Sequence, residues 1–422
     1  MGGWVLGVPG SRLAPDCRGM GSRRCAAPVD LRCTASGGGC VEDDPRYRRI
    51  DFSREMAHNV RVELARNLAL GEARMDVALA ALQIAAEDDA IVSLSSVPFP
   101  IQSFLARIER LASDVGARLK GQHGSTPVPV DITLPLMEKI FYAEQRFKVP
   151  PFLRSNIPDR SIVAHPGVWE NAAYAYLHEL LIRRVGIPAT VAILYHDVMR
   201  RLLLEGVVDF VIGMDMREFS DIPQPKIMPG LTRELVVRDN GTVLNTCNPD
   251  ALREMLRYLK RSFWPFAWDA SLGADGGFRS ALSAALNPGA DAHLEIISRA
   301  AKHRLDRGIS TSPGAGDIRR ALAASERLVM LCHGDQQERR DLAILLYHCG
   351  EMSRAMVELS AYCGTGAFED ETSTDKTALK QLLSRLKSHS ITGERAQLTT
   401  IENVLAMPPP QFDASQRVPL SW

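Results

Sequence analysis

Cys247, His178 and His196 are the side chains in the central part of the sequence whose types could do chemistry. A cysteine attacks as its thiolate, and a neighbouring imidazole or a helix N-terminus lowers the thiol pKa enough to make that thiolate available. If the fold brings Cys247 to either histidine, the pair would predict a thiol-dependent hydrolase or acyl-transferase. The alternative interpretation is a buried strand cysteine with two histidines on the polar faces of helices.

Thr190 is a second candidate nucleophile because it lies in the first turn of a predicted helix that begins at Pro188. The pKa of a hydroxyl is far too high for this role unless a base activates it, and the sequence offers no evident base. A threonine at the start of a helix commonly satisfies backbone amides. We therefore expect Thr190 to be structural, and the sequence favours no catalytic residue.

Helices are predicted on both sides of the segment that carries these residues. Apolar stripes indicate helices over residues 52–70, 75–86, 104–119, 136–147, 169–184, 188–204 and 251–261. The first three would form an N-terminal helical layer whose apolar faces need a partner surface. An aromatic clasp, Phe263-Trp264-Pro265-Phe266, is expected to close the central region.

Strands are predicted between the central helix pair and this clasp. Runs of β-branched residues indicate three antiparallel strands, over residues 207–214, 234–239 and 242–247. Asn240-Gly241 is a hairpin turn signal, and the proline-rich segment 220–230 predicts a loop. A helix pair followed by antiparallel strands is typical of a papain- or transglutaminase-type core. We therefore expect an α+β fold that is mostly α.

The C-terminal third contains an internal repeat. Gly316, Arg320 and Ala321 recur as Gly350, Arg354 and Ala355, at an offset of 34 residues. This period, with small residues where helices cross, is typical of tetratricopeptide repeats, which build concave peptide-binding surfaces. At most two repeats are visible, fewer than a free-standing array needs, so we expect them to pack on the core.

The composition excludes several functional classes. The 422-residue chain is 45% hydrophobic and 24% charged, which is ordinary for a soluble globular protein. Its formal net charge is zero, so nothing in its bulk charge attracts nucleic acid or an anionic membrane. No apolar run reaches the roughly 18–20 residues of a membrane span. The eight cysteines form no CxxC pair, so we predict neither a metal site nor a cofactor.

The first forty residues have the composition of a targeting sequence. They carry five arginines, no lysine and two acids, without the long apolar segment of a secretory signal. This pattern predicts an organellar transit peptide over residues 1–45, addressed to the chloroplast stroma or, alternatively, to the mitochondrion. A disordered tail is the other interpretation. The tail after Met407, which begins with three prolines, is expected to be extended.

The central segment YLHELLIRRVGIPATVAILYHDVMRRL, residues 176–202, resembles the signature of the second transglutaminase-like core family. Residues 75–90, 137–147 and 340–362 are similar to other segments of that family. Its members often carry tetratricopeptide-like repeats after the core. The clasp and residues 304–328 resemble plant and algal plastid members. The resemblance implies a transglutaminase-like core, C-terminal helical repeats and a chloroplast address.

The catalytic positions depart from that family's pattern. Pro229-Gly230-Leu231 stands where the family commonly has a strand with a histidine, and the strand ending at Asn248-Pro249 lacks the family's aspartate. Thr190 occupies the place of the transglutaminase cysteine. The resemblance therefore implies a core that has lost its catalytic residues.

We accordingly expect a non-catalytic interaction or assembly factor of the chloroplast. The predicted units are the transit peptide 1–45, a helical layer with the core over 46–268, a repeat region over 269–395 and a tail over 396–422. A protein partner is expected on the repeats, where four arginines could recognise an acidic peptide or could simply be solvated. They are Arg319, Arg320, Arg339 and Arg340.

Overall fold

A computed structural model describes residues 45–71, 74–93, 97–150, 171–215, 222–236, 249–266, 276–286 and 317–388. These residues are mostly helical, with one two-stranded antiparallel sheet, which confirms the predicted α+β class at that level. Their buried apolar side chains, from Leu64 to Leu386, form one hydrophobic cluster. In this part of the chain no helix is long and apolar enough to cross a membrane.

Three helices form the predicted N-terminal layer: α1 (Pro45–Ala69), α2 (Val77–Ser93) and α3 (Ile101–His123). Leu64 of α1 and Leu82 of α2 are fully buried, and α1 packs along α2. The stripe on α3, including Ile108 and Val115, is buried as its spacing predicts. The apolar faces of the layer are therefore covered by one another and by the core.

The next helix differs from its predicted bounds. The α-helix α4 (Val130–Glu138) begins before the predicted residue 136 and continues as a π-helix over Lys139–Glu144. It stops before Phe147 because Arg146 adopts a left-handed conformation, with φ at 58°, which ends helical geometry. Phe147 is buried and lies over the core.

The first helix of the central pair is interrupted. A short 3₁₀ turn, Ala172–Tyr174, precedes α5 (Leu177–Arg183), so the predicted helix over 169–184 is not continuous. Arg184 ends α5 in a left-handed conformation, with φ at 63°. Gly186 follows where a Cβ would meet Leu180 Cδ1 at 3.1 Å and the Tyr174 carbonyl oxygen at 3.2 Å, which favours glycine. α6 (Pro188–Leu204) then has the predicted bounds, with Pro188 at its first position.

The sheet corrects the strand predictions. β1 (Phe210–Asp215) pairs antiparallel with β2 (Gln224–Thr232), so a strand forms where the prolines predicted a loop over 220–230. An irregularity in the register near Phe210, with Gly230 at a φ of 81°, is typical of a bulge. Two prolines are tolerated in β2 because a strand position that does not donate to the ladder needs no amide proton.

The second predicted strand is also wrong in part. Its first residues lie in the short helix α7 (Arg233–Val236), and Val236 is buried there. The remainder of that strand, the Asn240-Gly241 turn and the third predicted strand over 242–247 lie outside the described residues. Val236, one of the residues that predicted a strand, instead anchors the end of the sheet in the core.

Helices complete the fold. They are α8 (Asp250–Phe263), α9 (Gly276–Leu286), α10 (Ile318–Leu331), α11 (Gln336–His348), α12 (Met352–Cys363), α13 (Gly366–Glu369) and α14 (373–388). α10 packs on both α8 and α11, and α11 packs on α12. The clasp is confirmed, because Phe263, Trp264 and Phe266 are almost fully buried. The C-terminal helices are thus joined to the central region through α8.

Candidate functional site

The start of α6 is the position at which a nucleophile was considered. Ile187 is extended, Pro188 opens the helix and Thr190 follows in its first turn. Thr190 is fully buried, and its Oγ1 donates a hydrogen bond to the carbonyl oxygen of Ala175 at 2.8 Å. The partner is a carbonyl rather than the amide that the sequence suggested. This hydroxyl ties α6 to the segment before α5 and is not available to a substrate.

Replacing Thr190 with valine should lower the free energy of unfolding by about 1–2 kcal/mol, because the buried Ala175 carbonyl loses its donor while the side-chain shape is kept. Urea denaturation followed by circular dichroism measures the change. Thr190→Ser retains the hydroxyl and is the matched control. A valine variant as stable as the serine variant would show that the hydrogen bond has no structural role.

His196 lies on the buried face of α6. It is 4% exposed, and burial lowers its pKa to about 4; the charge of Asp197 opposes this shift and that of Arg200 adds to it. It lines a small pocket between α6 and β1, with Met199, Phe210 and other apolar residues, that has room for about one water molecule. A neutral imidazole in so small an apolar space has no access to a substrate.

His178 lies on α5 in an aromatic cluster. Its ring centroid is 4.9 Å from that of Phe99, 5.6 Å from Phe104 and 5.5 Å from Tyr176. Burial lowers its pKa to about 4, although Glu179 nearby favours the charged form. Within the described residues its Nδ1 has no hydrogen-bond partner. The ring therefore behaves mainly as a packed aromatic side chain that stays neutral at physiological pH.

Neither histidine is suited to activate a thiol. A general base works best when its pKa lies near the operating pH, and both pKa values are about 4. Cys247 lies outside the described residues, so its pairing with His178 or His196 stays a prediction. In the ranges that the structure describes, no group of three or more histidine, cysteine or acidic side chains could hold a metal ion.

The four arginines proposed to bind a peptide fall into two classes. Arg320 places its guanidinium 4.2 Å from the ring centroid of Phe263 and pairs with Asp317 at 2.9 Å. Arg340 is 2% exposed, lies 3.6 Å above the Phe278 ring and pairs with Glu371 at 2.6 Å. These two arginines have structural partners within the chain.

The other two arginines face outward. Arg319 is exposed on the first turn of α10, and the structure records no acidic partner for it among the described residues. Arg339 is partly exposed and pairs with Glu358 of α12 at 3.3 Å. Arg319 and Arg339 are therefore the members of the predicted set that remain accessible to a partner.

A buried charge cluster, which sequence analysis missed, joins the first and last thirds of the fold. We call it the Arg327 cluster; its members are Arg327, Arg61, Glu87, Asp88 and Tyr176. Arg327 is fully buried and donates to Glu87 at 3.0 Å and to Asp88 at 2.6 Å. Arg61 binds Glu87 through two contacts of 2.7 and 2.9 Å, and the Tyr176 hydroxyl donates to Asp88 at 2.6 Å.

The electrostatics of this cluster favour its charged form. Burial alone would raise the pKa of Glu87, but the charges of Arg327 and Arg61 outweigh it and lower that pKa. Burial alone would lower the pKa of the Arg327 guanidinium, but the charges of Asp88 and Glu87 outweigh burial and raise that pKa. The sequence signal was Glu87-Asp88 in the middle of an apolar helix, where a buried charge requires a partner.

A second buried cluster joins α8 to α11. Lys260, 5% exposed, contacts Glu338 at 2.5 Å and Asp341 at 2.9 Å. Nearby, Arg257 contacts Asp335 at 3.0 Å. Burial lowers the pKa of Lys260, but the two carboxylates outweigh it and raise that pKa. Ion pairs thus fix the C-terminal helices to the central region on a second side.

Comparison with known proteins identifies no relative of the chain. No family model, no curated protein and no solved structure matches the chain. The transglutaminase-like core and the tetratricopeptide-like repeats therefore stay predictions from the residues themselves.

Proposed function

We propose that this chain is a non-catalytic protein-interaction or assembly factor built on a degenerate transglutaminase-like core. The observation that supports this most directly is the state of the candidate catalytic side chains. Thr190 is held by the Ala175 carbonyl, His196 is buried and His178 is half-buried, and both histidines are neutral, with pKa values of about 4. A hydrolase would need at least one of these groups accessible and poised near neutral pH.

The arrangement of the C-terminal helices supports a partner surface there. α10 begins at Ile318 and α12 at Met352, which are 34 positions apart, the offset of the sequence repeat. The small residues at equivalent positions, Ala321 and Ala355, are both fully buried, as expected where paired helices approach closely. Tetratricopeptide-like pairing accounts for both facts, and such pairs commonly present a concave surface to a peptide.

The accessible residues of this region indicate what a partner would meet. Arg319 is exposed on α10, and Arg339 is partly exposed. On α12, Val357 is 61% exposed. Cations beside an apolar side chain would suit a peptide that carries carboxylates and one or two apolar residues. We propose an acidic segment of a chloroplast protein as the partner; a mitochondrial partner is the alternative, since the leader composition fits either organelle.

Affinity capture of the full chain from intact chloroplasts tests this function. A doubly charge-reversed variant, Arg319→Glu with Arg339→Glu, should lose most of any captured partner, because it would repel an acidic segment. Lys120→Gln on α3 is the matched surface control and should retain the partner. A chain that is absent from purified chloroplasts, or that captures the same partners with and without the reversal, would contradict the proposal.

The alternative function is a thiol-dependent hydrolase or acyl-transferase that uses Cys247 with His178 or His196. Its motivation is the sequence: Cys247 is the cysteine of the predicted core, at the end of a predicted strand, and the two histidines lie on helices of the same core. The same preparation distinguishes the two functions by labelling with iodoacetamide at pH 6, where an activated thiolate reacts far faster than an ordinary thiol. Rapid labelling that disappears in Cys247→Ala, while capture of the partner is unchanged, would favour the enzyme.

A further inference from the structure

Cationic side chains gather where α3 passes the C-terminal end of α5. Arg107 of α3 donates from Nη2 to the carbonyl oxygen of Leu181 at 2.9 Å, which places its guanidinium at the last turn of α5. Arg184 lies just beyond that turn, with its guanidinium carbon 4.6 Å from the centroid of the Phe147 ring. Arg110 follows one turn after Arg107 on α3 and is exposed.

A backbone bridge joins the segment of a further cation, Lys148, to the end of α5. The amide of Lys148 donates to the Arg184 carbonyl at 3.0 Å, and the amide of Gly186 donates to the Lys148 carbonyl at 3.1 Å. Lys148 is exposed. We call Arg107, Arg110, Lys148 and Arg184 the α5-end cluster. Its members come from three separate parts of the sequence.

The α5-end cluster has no ion-paired acid in the part of the chain that the structure describes, although the exposed Glu109 lies on α3 between Arg107 and Arg110. Within the described ranges, no ion pair is recorded for any of its four members. Burial and the like charge of Arg107 both lower the pKa of Arg184, which is the effect of a cation left without a counter-charge. Arg183 differs, because it is paired with Glu179 one turn earlier. Nearly every other partly buried arginine described above has a carboxylate partner. Among the described residues, the arginines of this cluster have none.

Exposed apolar surface accompanies the cations. Ile182, on the last turn of α5, is 53% exposed. His178 lies one turn before Ile182 and packs against Phe99 and Phe104 in the aromatic cluster. Ile182 therefore places exposed apolar surface next in the chain to Leu181, whose carbonyl Arg107 binds.

We propose that the α5-end cluster and Ile182 form a docking site for an acidic segment of a partner protein, with carboxylates on the arginines and an apolar side chain against Ile182. Guanidinium groups suit carboxylates because their planar donors can make two parallel hydrogen bonds. The site lies on α3 and α5, apart from the residues of α10 and α11 assigned above, and does not depend on that assignment.

Two features favour a protein segment over other anions. The net charge of the chain is zero, whereas a nucleic-acid surface usually belongs to a strongly basic domain or stripe. A single exposed isoleucine beside the cations would add nothing to phosphate binding, but it matches an apolar residue interspersed among carboxylates.

Fluorescence anisotropy of the full chain with a labelled peptide of four Glu-Glu-Leu repeats tests this site. Binding should be detectable at low salt and should weaken as salt is added, because the contacts are largely electrostatic. Arg184→Asn should weaken binding about tenfold, as loss of a charge-assisted contact predicts. Asparagine tolerates the left-handed conformation of this residue, so the variant should fold.

Matched controls separate the site from general charge effects. Arg110→Gln should also weaken binding, whereas Lys120→Gln, further along the same helix, should not; all three variants should unfold at the temperature of the parent chain. Equal binding by Arg184→Asn, Arg110→Gln and the parent would overturn the site, as would failure of the parent chain to bind the peptide. Stronger binding to a labelled oligouridylate, or to vesicles with half phosphatidylglycerol, would overturn the choice of a protein partner.

Discussion

Replacing Arg327 with methionine should lower the free energy of unfolding by about 3–5 kcal/mol, the range seen when one partner of a buried ion pair is removed. Arg327 is fully buried, and Glu87 and Asp88 are each 3% exposed. Methionine fills a similar volume, so the cost comes mainly from leaving Asp88 without a counter-charge. Glu87 keeps Arg61 as a partner, and the Tyr176 hydroxyl still donates to Asp88, which holds the loss within this range.

Urea denaturation, with circular dichroism and tryptophan fluorescence recorded on the same samples, measures this loss. A triple variant that adds Glu87→Gln and Asp88→Asn to Arg327→Met should recover most of it. Arg61 keeps Glu326 at 2.8 Å, so no buried charge then lacks a partner. Arg327→Lys, which keeps one charge but not the fork of donors, should fall between the two. If Arg327→Met alone cost under about 1 kcal/mol, like an exposed ion pair, the cluster would not hold the fold together.

Stability should fall as the pH drops from about 6.5 to about 4, because His178 and His196 are neutral in the folded chain. Both histidines have a folded pKa of about 4, below the ordinary value of 6.5, so the unfolded chain takes up protons first. Their contribution is fully present above pH 6.5 and is lost progressively down to pH 4. Each shift corresponds to about 3 kcal/mol, and less for His178, which is partly exposed.

The free energy of unfolding, measured at half-unit steps between pH 7 and pH 4, provides the test. His196→Gln should remove about half of the decline, and His178→Gln should remove a smaller share. His58→Gln, at an exposed position on α1, is the control and should leave the profile unchanged. The carboxylates of Glu87, Asp197 and Asp341 also have lowered pKa values, so their stabilisation begins to be lost at the acidic end of this window and is lost further below it. An unaltered slope in His196→Gln would contradict the assignment.

Local pattern predicted the helices well and the sheet poorly, for a physical reason. An apolar stripe, such as Ile108 to Val115 on α3, predicts a buried helix face because one side of the helix packs on the core and the other faces solvent. β2 is exposed along most of its length and is held by backbone pairing to β1. Such a strand carries no alternation of polar and apolar residues, and its two prolines predicted a loop. The structure was needed to see that their missing amide protons do not prevent the pairing.

Adjacent arginines show the limit of sequence for the candidate site. Successive residues of an α-helix point about 100° apart, so one arginine of each pair can face inward while the other faces water. Arg320 and Arg340 turn toward Phe263 and Phe278, and Arg319 and Arg339 turn outward. The sequence does not indicate which arginine of an adjacent pair will pack against a phenylalanine from another helix. The Arg327 cluster was missed for a related reason: its members are distant in sequence, so no local pattern links them.

That distance has a consequence for how the chain reaches its native state. Glu87 and Arg327 are separated by 240 positions, and the ribosome releases the amino-terminal layer long before α10 exists. Until then, Asp88 has no cationic partner and must stay hydrated, although Glu87 can already pair with Arg61 of α1. Contacts of such long range are closed late and slowly. We therefore expect α2 to complete its packing against α10 only after α10 has been synthesised, as the last step in assembling the Arg327 cluster.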